Sequence, residues 1–127
     1  MAWTNAQMSG HSDTAKIVWD FLKSKGLNNE ACAAVLGNIE RESHFDTGGV
    51  EGNGEGHGLI QWSYGRKTAL LNYANSQGKN WTDIGLQLDF MWAELTGSEN
   101  ATLKMLQKAT NVVDATIMFE KLYERAR

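Results

Sequence analysis

The sequence predicts an all-α domain interrupted by one glycine-rich insertion, and three observations carry that reading. No proline occurs in 127 residues, which removes the commonest helix breaker. Apolar residues recur three and four apart along most of the chain, the period of an amphipathic helix. Between Asp46 and Gly58, six of thirteen residues are glycine, a density that excludes helix there.

The elements follow in order. Residues 1–11 are polar and without periodicity, and are expected to form a flexible arm. Ser12 or Asp13 suits the N-cap of a first helix reaching about Lys25, with Ile17, Phe21 and Leu22 on its apolar face and Gly26 as its stop. Asn28 or Asn29 caps a second helix with the stripe Cys32, Val35, Leu36 and Ile39, ending between Glu42 and His44. After the glycine-rich stretch, Leu59 to Trp62 allows a short extended, strand-like piece. Helical patterns return from Arg66 to Ser76, from Thr82 or Asp83 through Leu95, from Asn100 past Leu103 and Leu106, and from Val112 through Phe119 to Tyr123. No internal repeat or linker divides them, so residues 12–127 are expected to form one domain. The closing Glu124-Arg-Ala-Arg127 sits inside a helical pattern without a capping glycine, as in a domain cut from a longer protein.

Composition narrows the function classes. A chain of this length with 42% hydrophobic residues and five Trp has enough apolar surface for a core. The single Cys32 excludes an internal disulfide and, set among alanines, reads as a small buried thiol. A net charge of −3 and a pI near 5.6 argue against non-specific nucleic-acid binding, which needs a basic face. No run approaches the roughly 18–20 apolar residues of a membrane span, and no signal-peptide pattern opens the chain.

Chemistry is expected where the helical pattern breaks, because sites favour loops held by rigid elements. The end of the second helix and the insertion bring Glu40, Glu42, His44, Asp46, Glu51, Glu55 and His57 within eighteen residues. Glu42 falls in the last helical turn beside the apolar stripe. The negative end of the helix dipole disfavours a second negative charge there, which suits a group that must deliver a proton. Glu40 shares the helix end, and periodicity alone does not choose between them. Metal chemistry is not indicated. Glu51, Asn53 and Glu55 match only part of a calcium loop, whose twelfth position would be Trp62, and His44, Asp46 and His57 lack zinc-ligand spacing. Nor do the glycines form a dinucleotide fingerprint. No cofactor is expected. Trp62, Tyr64, Tyr73, Trp81 and Trp92 follow the insertion, and such side chains stack sugar rings in carbohydrate clefts. Tyr73 and Trp92 read as core, and Trp62, beside the loop, as either.

Two segments point further. Glu42-Ser43-His44-Phe45 carries Glu-Ser-x-Phe, and Gly58-Leu59-Ile60-Gln61 follows after the glycine-rich loop. The pair resembles the lysozyme superfamily, in particular goose-type lysozymes and lytic transglycosylases. Gly37-Asn38, Gly58 to Trp62, Leu71-Asn-Tyr-Ala74 and Tyr123-Glu124-Arg125, in order across about ninety residues, resemble the bacteriophage tail lysozyme family more closely. The resemblance implies a helical lysozyme-like fold (the α+β lysozyme type with minimal strand content) and a glycine-rich loop at the cleft. It implies Glu42, not Glu40, as catalytic acid, with Ser43 orienting it. Gly58 and Gln61 would line the glycan cleft, and Tyr123 matches a C-terminal tyrosine that faces the cleft in related enzymes. His57 and Trp62 join them by adjacency.

The implied reaction is cleavage of the β-1,4 bond from N-acetylmuramic acid to N-acetylglucosamine. Goose-type enzymes carry an Asp where this chain has Ser63, so the second carboxylate is open among Glu51, Glu55 and Asp46. With one of them placed as a base, water attacks; with none, the muramic 6-hydroxyl attacks and leaves a 1,6-anhydro end. The three candidates favour hydrolysis. Peptidoglycan glycan strands are the expected partner, with other phage-tail or wall-lytic domains beside it, and the expected location is the virion tail or the cell wall. An acidic chain gains nothing by diffusing to an anionic wall, which agrees with delivery by a larger assembly. The rival expectations are a non-catalytic peptidoglycan-binding module and a structural module of a phage tail or conjugation assembly.

Overall fold

A computed structural model describes residues 12–124; the arm expected over residues 1–11 lies outside them. Six α-helices follow one another: α1 (Ser12–Ser24), α2 (Asn29–Ser43), α3 (Gly65–Gln77), α4 (Ile84–Thr96), α5 (Asn100–Gln107) and α6 (Val112–Phe119). A wide turn of π-helix, Glu120–Glu124, continues α6. The fold is thus mostly helical and has no sheet among the described residues, in agreement with the all-α, lysozyme-like expectation.

The helix boundaries follow the capping chemistry. Asn28 caps α2 by accepting from Ala31 N at 2.8 Å, and its Nδ2 donates to Ala109 O, tying this helix start to the turn before α6. Asp83 caps α4 through Leu86 N, and Asn111 caps α6 through Asp114 N. α5 begins at Asn100, the residue expected to cap it, so the cap falls one residue earlier, on Glu99, with no side-chain bond there.

α2 is the central helix. Its expected stripe is buried, but so are Ala31, Ala33 and Ala34, which let neighbouring helices approach on further sides. Its most extensive partner is α6, and α1 packs beside it. Buried Asn38 donates to Ala34 O in its own helix and to Thr116 O in α6, so the one polar side chain deep in this contact is satisfied. Cys32 is fully buried, and burial pushes its thiol up from 9.0 to about 11 against the opposing charge of Lys23.

The stretch Leu59–Trp62 differs from the extended piece expected. His57 and Trp62 pair as a single antiparallel bridge, exchanging N–H···O bonds of 3.0 Å in both directions, and residues 58–61 form a tight turn between them. Gly58 and Gln61 take positive φ values of 78° and 56°. Two burials favour the turn over a strand: Leu59 and Ile60 both enter the core, which strand alternation would forbid.

The end of this turn is fastened by Glu94 of α4. Its carboxylate accepts from Trp62 Nε1 at 2.9 Å, from Arg66 Nε and Nη2 at 3.0 and 2.9 Å, and from the Tyr123 hydroxyl. Arg66 also donates to Tyr123 O at 2.8 Å, and its guanidinium lies over the Tyr123 ring. Burial pushes the Tyr123 hydroxyl well above its ordinary range, and the neighbouring Glu94 charge adds to this. For Arg66, burial works most strongly against the charge, but the Glu94 hydrogen bonds and the charges of Tyr123, Glu94 and Glu124 together outweigh it and hold the guanidinium protonated.

Two outcomes follow. Removing one member of a largely buried, hydrogen-bonded ion pair leaves the other uncompensated, so Glu94→Ala is expected to lower stability by about 3 kcal/mol and Glu94→Gln by less. Urea unfolding measures this, and a loss below about 0.5 kcal/mol would place the fastening elsewhere. The second concerns alkali. Cys32 and Tyr123 hold their protons more tightly folded than unfolded, so their stabilisation is complete below the unfolded pKa values and declines as pH rises. For Cys32 the decline spans pH 9.0 to about 11 and amounts to roughly 3 kcal/mol. Cys32→Ala should flatten melting curves between about pH 9 and 10, above which the Tyr123 contribution continues to decline.

Candidate functional site

The site is built where α2 ends. His44 and Phe45 both adopt positive φ, 52° and 62°, which is strained for residues with side chains. His44 N still bonds Glu40 O and Asp46 N bonds Ser43 O, while buried Phe45 anchors the reversal in the core. The chain therefore leaves α2 sharply and returns past the helix end as the glycine-rich loop. Between them lies an open cleft of about 290 Å³ lined by Glu42, Ser43, His44, Gly49, Val50, Glu51 and Gln61. The structure thus brings together four of the nine expected site residues: Glu42, Glu51, Ser43 and Gln61.

Glu42 and Glu40 are separated by what surrounds them. Glu40 Oε1 pairs with His44 Nδ1 at 3.3 Å, and Glu40 is absent from the cleft lining, whereas half-buried Glu42 belongs to it. Ser43 is buried and its hydroxyl donates to Ile39 O at 3.2 Å, back into its own helix.

The opposite wall is a backbone framework. Glu51 N donates to Gly56 O at 2.8 Å and Gly54 N to Glu51 O at 2.7 Å, closing the loop tip; Gly58 N donates to Gly49 O at 2.9 Å, closing its base. Gln61 Nε2 donates to Gly49 O and Gly58 O. A Cβ on Gly56 would stand 2.5 Å from Gln61 Oε1, so this amide and that glycine require each other. Gln87, fully buried in α4, accepts from Leu59 N at 2.9 Å and donates to Thr47 O and Trp81 O at 2.8 Å each. Gly58 lies against this amide: a Cβ there would meet Gln87 Oε1 at 2.7 Å. Sequence reasoning missed Gln87, whose only signal was a polar residue between Leu86 and Leu88.

The other expected residues lie elsewhere. Glu55 turns from the cleft: Oε1 accepts from Tyr64 N at 3.0 Å and Oε2 pairs with Lys67 Nζ at 3.2 Å. The Tyr64 N–H first, then Lys67, holds this carboxyl below its usual range. Half-buried His57 bonds Glu55 O through Nδ1 at 2.8 Å, and its ring rests 4.8 Å from that of Trp81. Trp62 and Tyr123 correct the expectation of cleft contact: they are 1% and 0% exposed, because their polar atoms turn inward to Glu94. Of the aromatics after the insertion, Tyr73, Trp81 and Trp92 pack against the core as half-buried residues, whereas Tyr64 is 67% exposed. Among the described residues, no three His, Cys, Asp or Glu side chains gather in a metal-holding group.

Morphogenesis protein 1 of Bacillus phage B103 is 28% identical over 123 residues, covering 87% of this chain and 33% of the relative. The chain therefore spans about a third of that curated protein's length. The profile described as phage tail lysozyme matches residues 13–127, from the first turn of α1 to the last residue. With nearly the whole fold and all of the cleft inside that match, the chain belongs to the phage tail lysozyme family.

Proposed function

We propose that this domain cleaves the glycan strand of bacterial peptidoglycan at the β-1,4 bond between N-acetylmuramic acid and N-acetylglucosamine, with Glu42 as general acid. The observation that carries the proposal is the placement of Glu42 and Glu51 in the lining of one open cleft. Glycoside hydrolysis needs this pair: an acid to protonate the leaving oxygen and a second carboxylate beside the developing oxocarbenium ion.

Glu51 is the better second carboxylate. Both oxygens of Glu55 are engaged outside the cleft, by Tyr64 N and Lys67. Asp46 is absent from the cleft lining, whereas Glu51 belongs to it, with Oε1 accepting from Gly56 N at 3.3 Å in its own loop. In the proposed reaction Glu42 gives its proton to the glycosidic oxygen as the C1–O bond breaks. Water attacks C1 from the opposite face, and Glu51 takes the proton that the water loses. The product is a reducing muramic end with inverted configuration. Gln61 and the backbone at Gly49 form the wall against which the strand lies. The placement of this activity in a phage tail, opening the wall at infection, is part of the same proposal.

The printed name of the B103 relative, a morphogenesis protein, favours a second reading in which the domain contributes to particle assembly. Digestion of purified peptidoglycan, with mass spectrometry of the released muropeptides, separates the two. Glu42→Gln is expected to remain folded and to lower release by about 10²–10⁴-fold, the usual worth of a general acid. Glu51→Gln should lower kcat by at least about 10²-fold with little change in KM. Anhydro-muramic products that persist in Glu51→Gln would remove Glu51 from the mechanism and assign the attack to the muramic 6-hydroxyl. No release by the wild-type protein from any wall type would leave the assembly reading.

A further inference from the structure

Val50 is the outermost of three residues paired side by side: it faces His57, which faces Trp62. The two antiparallel pairs differ in kind. His57 and Trp62 exchange their own N–H and C=O groups, whereas the Val50–His57 pair is closed by its neighbours, Gly58 N donating to Gly49 O at 2.9 Å and Glu51 N to Gly56 O at 2.8 Å. In a pair of the second kind, each residue turns its own N–H and C=O away from its partner. Those of Val50 therefore point outward from His57, and no hydrogen bond among the described residues reaches either of them. This is an open edge, able to take one more extended segment. Gly49, Val50 and Glu51 all line the cleft, and Val50 is 50% exposed. Successive residues of an extended segment point to opposite faces, so a cleft that meets all three runs along the edge and not over one face.

We propose that this edge binds the peptide stem of peptidoglycan, one extended stem residue donating its N–H to Val50 O and accepting from Val50 N. The inference rests on the peptidoglycan reading above and extends the substrate from the glycan strand to the stem that muramic acid carries. Geometry selects a peptide within that polymer. One residue of an extended peptide presents its N–H and C=O on the same side, the arrangement that Val50 itself offers. An acetamido group of the sugars does not, because the N–H and C=O of a trans amide point in opposite directions. Position agrees with this choice. Glu51, next to Val50 on the edge, is one of the two proposed carboxylates, and a stem branches from the same muramic unit whose bond is cut. A second copy of this chain suits the edge less well. Only one donor and one acceptor are open, because the backbone groups of Gly49 and Glu51 are all engaged within the loop region.

Proline provides the test, because it deletes an N–H and is tolerated on an edge. Glycan strands carrying stems, and the same strands stripped by an amidase, are titrated calorimetrically into the Glu42→Gln protein, which binds without turnover. The same titrations are made with that protein carrying Val50→Pro or Val50→Ala. The parent is expected to bind stem-bearing strands about tenfold more tightly, the worth of two modest hydrogen bonds. Val50→Pro should reduce that preference to about threefold or less and leave affinity for stripped strands unchanged. Val50→Ala keeps both backbone groups and should keep the preference. Equal affinity of the parent for the two strands overturns the pairing without any variant. An undiminished preference in a folded Val50→Pro protein overturns it too, and so does its loss in Val50→Ala, which would assign it to the side chain. Hydrogen exchange of the Val50 amide reads the same bond in the parent: stem-bearing strands should slow it and stripped strands should not. No slowing overturns the pairing whether or not the proline protein folds. Muropeptide release by the wild-type protein tests the catalytic reading separately. Release with equal affinities removes only the edge pairing, and a stem preference without release removes only the catalysis.

Discussion

The fold around the cleft depends on one carboxylate. Glu94 is largely buried, and a buried charge is tolerated only when its partners replace the water it has lost. Its partners come from three separated places: the indole that ends the 58–61 turn, the guanidinium in the first turn of α3, and the hydroxyl of the last described turn. Trp62 and Tyr123 each bring a large apolar body whose polar atom bonds Glu94, and Arg66 ties the two ends together by donating also to Tyr123 O. Trp62 packs edge-on to Phe90 and Tyr123 lies against Phe119, so satisfying Glu94 also seats two of the largest core side chains. The loop wall inherits its position from this arrangement. Trp62 holds His57 through two backbone bonds, and His57 is bridged in turn to Val50 at the cleft.

A second constraint works on the other side of the loop. A glycine-rich segment has little side-chain surface to bury and loses much backbone entropy on ordering, so its shape must come from hydrogen bonds. Two glutamines provide them. Gln87 reaches from α4 to three backbone groups before, within and after the loop region, and Gln61 gathers Gly49 and Gly58 from within it. Gly56 and Gly58 are held as glycines by these amides, since a side chain at either would displace a glutamine, and the glycine content of the insertion thus reflects close packing of an amide framework.

Much of the helical frame was legible in the sequence because caps and periodicity are local. Asn28 and Asp83, each one of two neighbouring candidates, cap where their side chains can reach an N–H three residues on. Proximity to the helix end also singled out the region of Glu42. What was not legible depended on partners distant in sequence. Trp62 and Tyr123 have the residue types of a sugar site, and only the convergence on Glu94, 32 and 29 residues away, turns them inward. Leu59–Trp62 looked extended because a short apolar run has no period of its own; its turn is set by the pairing of His57 with Trp62. The three acidic candidates of the loop were equivalent as letters, and they separate once Lys67 and Tyr64 N are seen to occupy Glu55.

Strain and order divide cleanly in this domain. The positive-φ residues other than glycine among those described are His44, Phe45, Gln61 and Tyr64, all between the end of α2 and the start of α3. The helices beyond them are capped, and their deepest polar side chains, Asn38 and Gln87, are satisfied. Each strained residue has its own compensation. Phe45 is buried, Gln61 donates two hydrogen bonds, and His44 meets Glu40. Tyr64 differs, because its compensation comes from Glu55 and Lys67 acting on its backbone while its ring stays in solvent. If strain here only solved the problem of turning the chain, glycine would serve at this position at lower cost. The turn alone therefore does not account for a tyrosine here, whose side chain stays largely in solvent.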